Sequence, residues 1–483
     1  MASIPIPHLT SNTKHVLHCA LLFVILIAFM IKLAWPDADA AGQQFDPVQR
    51  YGRLLTFILY LFRLLALLSL PQVCFNLFGL TMYNAFPDKV KLESPASRAP
   101  FICIRTVTRG DFPDLVCSNV DRNMITCLTV GLENFLMEVV TDKPIARLPK
   151  HHRIREVLIP PDYRTSTGAL FKARALQYAL EDDVNLLGEK DWIVHLDEET
   201  ILTEDVVRGI VNFVSRGKHE FGQGLITYAN EEIVNWITTL ADTFRVSDDM
   251  GKIRLQLRIF HRPLFGWKGS FVVSKYIAEK DVSYDHGLDG SVAEDCYFSM
   301  IAYAKGYTFD FIEGAMWEKS PFTIRDFIQQ RKRWVQGIFL VVHSSKIPIS
   351  NKIFLAISLY AWMTVPFSTS NVFLTTLFPL PTSEHFLFNF LFALVAAVNI
   401  YMYVFGVLKS FTPHRMGLVR FVICLVGALL TIPFNIFIEN IAVIWGVLGE
   451  KHKFYVVDKR ITGSSLGKNQ DQDPLLLPAE QIV

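Results

Sequence analysis

Carboxylates cluster at the end of an apolar stretch, residues 191–197, in a pattern typical of a metal and diphosphate site. Asp197 and Glu199 are spaced as in a D-x-D motif, with Glu in the second place. Carboxylate oxygens suit Mg²⁺ or Mn²⁺, and such an ion neutralises the charge that develops on a diphosphate leaving group. The spacing allows Asp197 and Glu199 to bind one ion, whereas an isolated motif of this kind favours a solvated acidic turn.

A second acidic pair, Glu294 and Asp295, follows a Gly-containing turn and opens a helical pattern. A carboxylate in this place can act as the general base that deprotonates an attacking sugar hydroxyl. Inverting transfer needs one such base, opposite the leaving group. The alternative is an acid that stabilises the positive end of a helix dipole.

Three further side chains can contact a sugar nucleotide or its acceptor. Asp142 follows an apolar strand pattern and can accept hydrogen bonds from a nucleotide base or ribose, and Lys172 lies on a helix that can approach the donor. Trp267 offers an aromatic face on which a sugar stacks. Taken singly, Asp142 is better explained as a turn residue and Trp267 as a core residue, and Lys172 is equally well explained as a surface lysine.

A Q-x-x-R-W motif precedes the apolar C-terminal region and places an amide, a guanidinium and an indole on one helical turn. Gln330 and Trp334 suit a bound acceptor sugar, and Arg333 suits a diphosphate. Arg331 and Lys332, within the motif, would then face lipid headgroups. An interfacial helix with an aromatic anchor is the alternative.

These residues need a scaffold, and the pattern between residues 100 and 334 predicts one. Apolar strand patterns at 101–107, 135–140, 156–159 and 191–196 alternate with helical stretches such as 167–181. Such alternation predicts an α/β domain with a mostly parallel sheet. Ligands of such sheets bind beyond the carboxyl ends of the strands, where Asp142 and Asp197 follow their strands.

Long apolar runs flank this domain and predict a multi-pass membrane protein. The predicted division is an N-terminal region 1–90, a catalytic domain 91–345, a C-terminal membrane region 346–450 and a polar tail 451–483, disordered at its end. The predicted spans are 16–35, 54–80, 353–377, 386–408 and 418–434, with 435–448 interfacial or re-entrant. Whether 418–448 crosses once or forms a hairpin stays open.

Charge and cysteine content narrow the function further. The formal net charge of +1 argues against a nucleic-acid partner. Lys and Arg gather after the second span and at 409–420 but are absent from 36–45 and 379–385, which predicts a cytosolic catalytic domain. The seven cysteines show no paired spacing, so no zinc site is predicted, and Cys19 is expected to behave as a small apolar residue.

The combination resembles the inverting family 2 glycosyltransferases, whose catalytic domain has the GT-A fold. The resemblance implies that Asp142, Asp197 and Glu199 hold nucleotide and metal, and that Asp295 is the base. It also implies that the Q-x-x-R-W segment lines the acceptor end. Glu199 departs from the usual second Asp but keeps a carboxylate.

Longer strings, at 107–115, 192–200, 222–230, 289–296 and 451–457, narrow the resemblance to the invertebrate β-1,4-mannosyltransferases of glycosphingolipid synthesis. This similarity covers residues 14–459. It implies GDP-mannose as donor, glucosylceramide as acceptor, and a Golgi or ER membrane. Oligomeric state and metal preference are not implied.

Two other functions compete with this interpretation. A processive polysaccharide synthase shares the Q-x-x-R-W segment, but few spans follow the catalytic domain, and no charged or aromatic pore lining is evident. A transporter would carry polar stripes along its spans, whereas these spans consist mainly of Leu, Phe, Val and Ile.

Overall fold

The computed structural model describes residues 9–34, 45–381 and 385–452 of the 483-residue chain. The polar tail from residue 453, residues 36–44 of the first loop and residues 382–384 of the second therefore lie outside the described residues. The strands are β1 (Ile102–Thr108), β2 (Phe135–Thr141), β3 (Ile154–Leu158), β4 (Trp192–Asp197), β5 (Phe221–Thr227), β6 (Val272–Lys275) and β7 (Phe309–Trp317).

Helices of two kinds surround these strands. Those before or within the sheet domain are α1 (Ser11–Ala34), α2 (Pro47–Leu65), α3 (Leu70–Met82), α4 (Pro113–Val130), α5 (Phe171–Tyr178), α6 (Glu204–Arg216), α7 (Trp236–Asp248), α8 (Tyr276–Val282) and α9 (Glu294–Ala304). Those that follow are α10 (Ile324–His343), α11 (Ile349–Met363), α12 (Val365–Leu377), α13 (Phe386–Ser410), α14 (Pro413–Met416), α15 (Leu418–Leu430) and α16 (Ile432–Leu448).

The seven strands form one sheet in the order β3-β2-β1-β4-β6-β5-β7. All neighbouring pairs are parallel except those of β6, which runs antiparallel to both β4 and β5. The predicted α/β domain with a mostly parallel sheet is thus confirmed. Because β2, β4 and β7 point the same way, the residues that follow them meet at one edge of the sheet.

A buried charge network lies inside the sheet domain. Arg105 of β1 is 1% exposed, and its Nε donates to Glu138 of β2 at 2.6 Å. Its Nη1 lies 3.6 Å from Glu279 of α8, which also contacts His195 Nε2 at 2.7 Å. Arg155 supplies a second guanidinium, 3.0 Å from Glu138. Arg105, Glu138 and His195 occupy neighbouring strands in register, so the sheet itself brings these charges together.

Several helices are long and apolar enough to cross a membrane, which is consistent with membrane association. In the described part of the chain they are Ser11–Lys32, Pro47–Met82 and Phe386–Ser410. Two bent pairs raise the number to five if each is one span: α11 with α12, bent by 53°, and α15 with α16, bent by 46°. The predicted region 418–448 is therefore two helices meeting at Thr431.

The helices share one apolar core with the sheet. Leu22 of α1, Val73 of α3 and Tyr401 of α13 belong to the same buried cluster as Ile193 and Val194 of β4. Arg63, which interrupts the second predicted span, stacks over the Phe392 ring of α13 at 5.2 Å. It therefore faces another helix.

The structure overturns one expectation about the Q-x-x-R-W segment, which lies on α10. Arg331 is 5% exposed and donates to Asp242 of α7 at 2.7 Å. Its Nε lies 3.2 Å from Glu439 of α16, which also accepts from the Trp362 indole at 3.0 Å. Placing Arg331 among lipid headgroups was wrong, because two carboxylates far away in sequence pair with it inside the protein.

Candidate functional site

Three carboxylates come to one edge of the sheet because their strands end there. Asp142 follows β2, Asp197 ends β4, and Glu318 follows β7. The register pairs Val107 of β1 with both Val140 and Asp197, which fixes β2 and β4 at the same height. The predicted location beyond the strand ends therefore holds two of the sequence-selected acids.

Lys172 joins the end of β4 to the start of α9. Its ammonium donates to Asp197 Oδ1 at 2.5 Å and to the Gly269 carbonyl at 3.0 Å, and it lies 3.9 Å from Glu294 Oε1. We call Lys172, Asp197, Glu294 and Asp295 the acidic pocket. The sequence placed these residues in three separate motifs, and the fold brings them together.

Gly269 allows the close approach of Asp295 to Lys172. A Cβ atom at Gly269 would lie 3.2 Å from Asp295 Oδ2 and 3.3 Å from Lys172 Nζ. Trp267, two residues earlier, is 6% exposed and packs edge-on against Phe309, and it lines the same cavity as Lys172 and Asp295. Trp267 is thus both a core residue and a wall of the pocket.

The acidic pocket carries more negative than positive charge, which perturbs its titration. Burial raises the pKa of Glu294 to about 7, and the adjoining Asp295 carboxylate adds to that rise. Burial also raises the pKa of Asp295. Lys172 and the Arg333 guanidinium of α10 act in the opposite direction on both pKa values. A carboxyl that holds a proton near neutral pH, beside a second carboxyl with a raised pKa, suits general acid–base chemistry.

Lys172 itself remains charged. Although burial opposes its charge, the carboxylates of Asp197 and Glu294 raise its pKa above the ordinary value. A buried ammonium held this way can also contact the phosphates of a donor nucleotide.

The other acids at the sheet edge differ in what they contact. Asp142 is partly exposed and pairs with Arg174 of α5. Glu198 is buried and accepts from the Thr108 hydroxyl. Glu199 is half-buried beside it. Carboxylate oxygens are the ligands that Mn²⁺ and Mg²⁺ prefer, so the donor set of Asp197 and Glu199 fits a divalent ion.

The Q-x-x-R-W segment reaches the same region from α10. The Gln330 side-chain oxygen is buried and has no hydrogen-bond partner among the described residues. Trp334 lies against two guanidinium groups, with Arg331 at 4.5 Å and Arg245 at 4.7 Å from its ring. The indole is therefore held by cations as well as available to a ligand.

Glu318 is an acid that the sequence patterns did not single out. It is 7% exposed, accepts from the Thr200 hydroxyl at 2.7 Å, and burial together with nearby Asp197 raises its pKa. Its position directly after an apolar strand pattern is the signal that would have found it, as it found Asp142 and Asp197.

Comparisons with known proteins agree on one family. The family model described as Glycosyl transferase family group 2 matches residues 192–409. Beta-1,4-mannosyltransferase egh of Drosophila melanogaster is 62% identical over 454 residues, covering 94% of this chain and 99% of that protein. Beta-1,4-mannosyltransferase bre-3 of Caenorhabditis elegans is 57% identical over 453 residues, covering 93% and 99%.

Solved structures include a more distant neighbour. The mannosyltransferase PcManGT from Pyrobaculum calidifontis, solved with GDP-Man and Mn²⁺, superposes with a TM-score of 0.42 at 14% identity, covering 78% of this chain and 99% of that one.

The family match and the sheet confirm the GT-A class that the sequence implied. The relatives confirm the narrower resemblance to the invertebrate β-1,4-mannosyltransferases. Because identity above half extends over nearly the full length of both chains, the protein belongs to glycosyltransferase family 2 and is a glycosyltransferase.

Proposed function

We propose that the protein transfers mannose from GDP-mannose to glucosylceramide and forms a β-1,4 linkage with inversion. The observation that carries the proposal is the acidic pocket, where Asp295 and Glu294 of α9 meet Asp197 of β4 across Lys172. The names of the relatives, both β-1,4-mannosyltransferases, supply the sugar and the linkage.

Asp295 is the proposed base. It takes the proton from the glucose 4-hydroxyl as that oxygen bonds to the anomeric carbon of mannose. The bond from the anomeric carbon to the phosphate oxygen breaks on the opposite face, and GDP leaves with the electron pair. Glu294, which has a pKa raised to about 7, holds a proton beside the base and limits the negative charge of the pair.

Residues at the strand ends and on α10 bind the GDP-mannose donor. Asp197 and Glu199 would hold Mn²⁺ or Mg²⁺, and such an ion, when bound, supplies positive charge to the diphosphate. Asp142 accepts hydrogen bonds from the nucleoside, and Lys172 and Arg333 contact the phosphates. The carboxylates suit the metal ion and the nucleoside hydroxyls, and the two cations suit the negatively charged phosphates.

The acceptor enters from the membrane side. Gln330, Trp334 and Trp267 line its path, and the unpaired Gln330 oxygen can accept a sugar hydroxyl. The α10 helix that carries Gln330 packs against α11 and α16, which are among the apolar helices. A lipid-linked sugar held in the bilayer would thus be delivered next to Asp295. We place the protein in a Golgi or ER membrane with this site facing the cytosol.

The test is transfer from radiolabelled GDP-mannose to glucosylceramide in detergent micelles, with and without Mn²⁺ and Mg²⁺. We expect metal-dependent labelling of a single-mannose glycolipid. Labelling from another sugar nucleotide but not from GDP-mannose would refute the donor while keeping the glycosyltransferase. A long polymeric product would instead favour a processive synthase.

A further inference from the structure

Three side chains with metal-binding atoms lie together on α1, and none of them belongs to the acidic pocket. His15, His18 and Cys19 occupy positions i, i+3 and i+4, which share one helix face. Their ligand atoms all lie within 4.8 Å of one another. The sequence indicated no zinc site, because it offered no paired-cysteine spacing.

The distances within this group fit the face of a metal tetrahedron. His18 Nε2 lies 3.0 Å from His15 Nδ1 and 3.5 Å from Cys19 Sγ, and the third edge, Sγ to His15 Nδ1, is 4.0 Å. Tetrahedral zinc, with Zn–N of about 2.0 Å and Zn–S of about 2.3 Å, requires edges of about 3.3 Å between nitrogens and about 3.5 Å from nitrogen to sulfur. Small side-chain shifts therefore bring the three atoms to the spacing that a zinc ion requires.

The tautomer of His18 is set by a tyrosine on another helix. The Tyr401 hydroxyl of α13 donates its single proton to the His18 carbonyl at 2.9 Å, and the same oxygen lies 2.8 Å from His18 Nδ1. With that proton on the carbonyl, Nδ1 donates to the hydroxyl. A neutral His18 then presents a bare Nε2 to the group, as a metal-binding imidazole does.

When no ion is bound, the unprotonated Nε2 of His18 creates an unfavourable contact with His15. His15 Nδ1 faces this acceptor at 3.0 Å and faces the Ala85 backbone N–H, a donor, at 3.3 Å. Either tautomer of His15 therefore makes one unfavourable contact. A cation between the two imidazoles binds both lone pairs and removes the repulsion between them, and it replaces the 3.3 Å contact of Nδ1 with the Ala85 amide.

The alternative that satisfies the same contacts is a doubly protonated His18. His18 is 3% exposed and lies among the rings of Phe86, Tyr401 and Phe405. An isolated imidazolium there would be a buried charge without a carboxylate partner among the described residues, which is costly. A zinc ion with a thiolate and two neutral imidazoles also carries net positive charge, but it gains three ligand bonds.

We propose that His15, His18 and Cys19 bind one zinc ion, with Tyr401 fixing the orientation of His18. Imidazole and thiolate together suit zinc better than they suit Mg²⁺ or Mn²⁺. His15 and Cys19 are half-buried, so a solvent molecule can complete the tetrahedron. The bound ion would join the N-terminal helix to α13 through Tyr401 and is separate from the metal of the acidic pocket.

The first test measures metal content of the full chain in detergent after chelation and reloading with zinc sulfate. We expect one more zinc per chain in the native protein than in Cys19→Ser. Cys74→Ser, which changes a half-buried cysteine of α3, is the matched control and should keep the ion. Asp197→Asn should also keep it, because the acidic pocket is a different site. Equal zinc in the native chain and Cys19→Ser would overturn the proposal.

A second measurement needs no variant. Alkylation of the native chain, followed by mass spectrometry of its peptides, reports Cys19 and Cys74 separately. Zinc should slow alkylation of Cys19 by at least tenfold and leave Cys74 unchanged. Equal rates at Cys19 with and without zinc would refute the site even if Cys19→Ser failed to fold.

Discussion

Two clusters of charged residues lie within the sheet domain, and they differ in how completely their charges are balanced. In the buried charge network, Arg105 and Arg155 face Glu138 and Glu279, and His195 adds a hydrogen bond. In the acidic pocket, Lys172 contacts Asp197 and Glu294 directly, and Asp295 adds a third carboxylate.

The consequence appears in the titration of the acids. Although burial opposes its charge, contacts with His195 and Arg105 lower the pKa of Glu279. In the acidic pocket, burial raises the pKa of Glu294 to about 7, because the available cations do not offset it. In a buried group with balanced charges, removing one partner destabilises the fold. A group with excess negative charge has carboxyls with raised pKa values, and such groups are typical of functional sites.

The largest expected effect comes from the proposed base. Asp295→Asn keeps the size of the side chain but removes its ability to accept a proton. We expect transfer to fall by about 10²–10⁴-fold with no loss of thermal stability. Asp182→Asn, at an exposed acid of the surface, is the control and should be fully active. Retained activity in Asp295→Asn would assign the base elsewhere.

A substitution in the buried charge network should lower stability and leave activity unchanged. Arg105→Met leaves Glu138 and Glu279 buried without their shared guanidinium, and removing one partner of a buried pair costs about 3–5 kcal/mol. We expect a lower melting temperature and reduced yield. Any protein that folds should transfer sugar normally. Arg208→Met, which breaks exposed pairs on α6, should cost less than about 1 kcal/mol. A catalytic defect in folded Arg105→Met would contradict the division into two roles.

Replacing Lys172, the central cation of the acidic pocket, should increase the excess of negative charge there. Lys172 lowers the pKa of both Glu294 and Asp295, so Lys172→Met should raise both. The base then loses its proton only at higher pH, and the acid limb of the kcat profile should move upward. We expect a roughly 10–100-fold loss at neutral pH, comparable to removing one electrostatic contact. Lys172→Arg should restore part of the activity.

The smallest effect is expected from Glu294→Gln, because Gln resembles the protonated carboxyl that Glu294 holds beside Asp295. The acid limb should therefore keep its position, unlike that of Lys172→Met, and activity should fall less than about tenfold. The same group makes the free energy of unfolding depend on pH. Because folding raises the pKa of Glu294 from 4.5 to about 7, the folded protein loses stability as pH rises through this range. Melting temperatures of Glu294→Gln should lack this decline.

The sequence predicted those parts of the site that local pattern determines. Asp197 and Asp295 stand at a strand end and a helix start, and both features are encoded by neighbouring residues. Contacts between distant segments were not accessible in this way. Glu318 approaches Asp197 only because β7 joins the sheet beyond the antiparallel β6. Arg331 was misplaced because its partners, Asp242 and Glu439, lie 89 and 108 residues away along the chain.

The contact between Arg331 and Glu439 limits where the chain can be cut for production in water. A fragment that ends at residue 345 would keep Arg331 and Asp242 but lose Glu439 and the Trp362 indole that holds it. The same cut removes α13, whose Ala397 and Val398 complete the core that contains β4. We expect such a fragment to aggregate, so that a water-soluble catalytic half is not a folding unit of this enzyme.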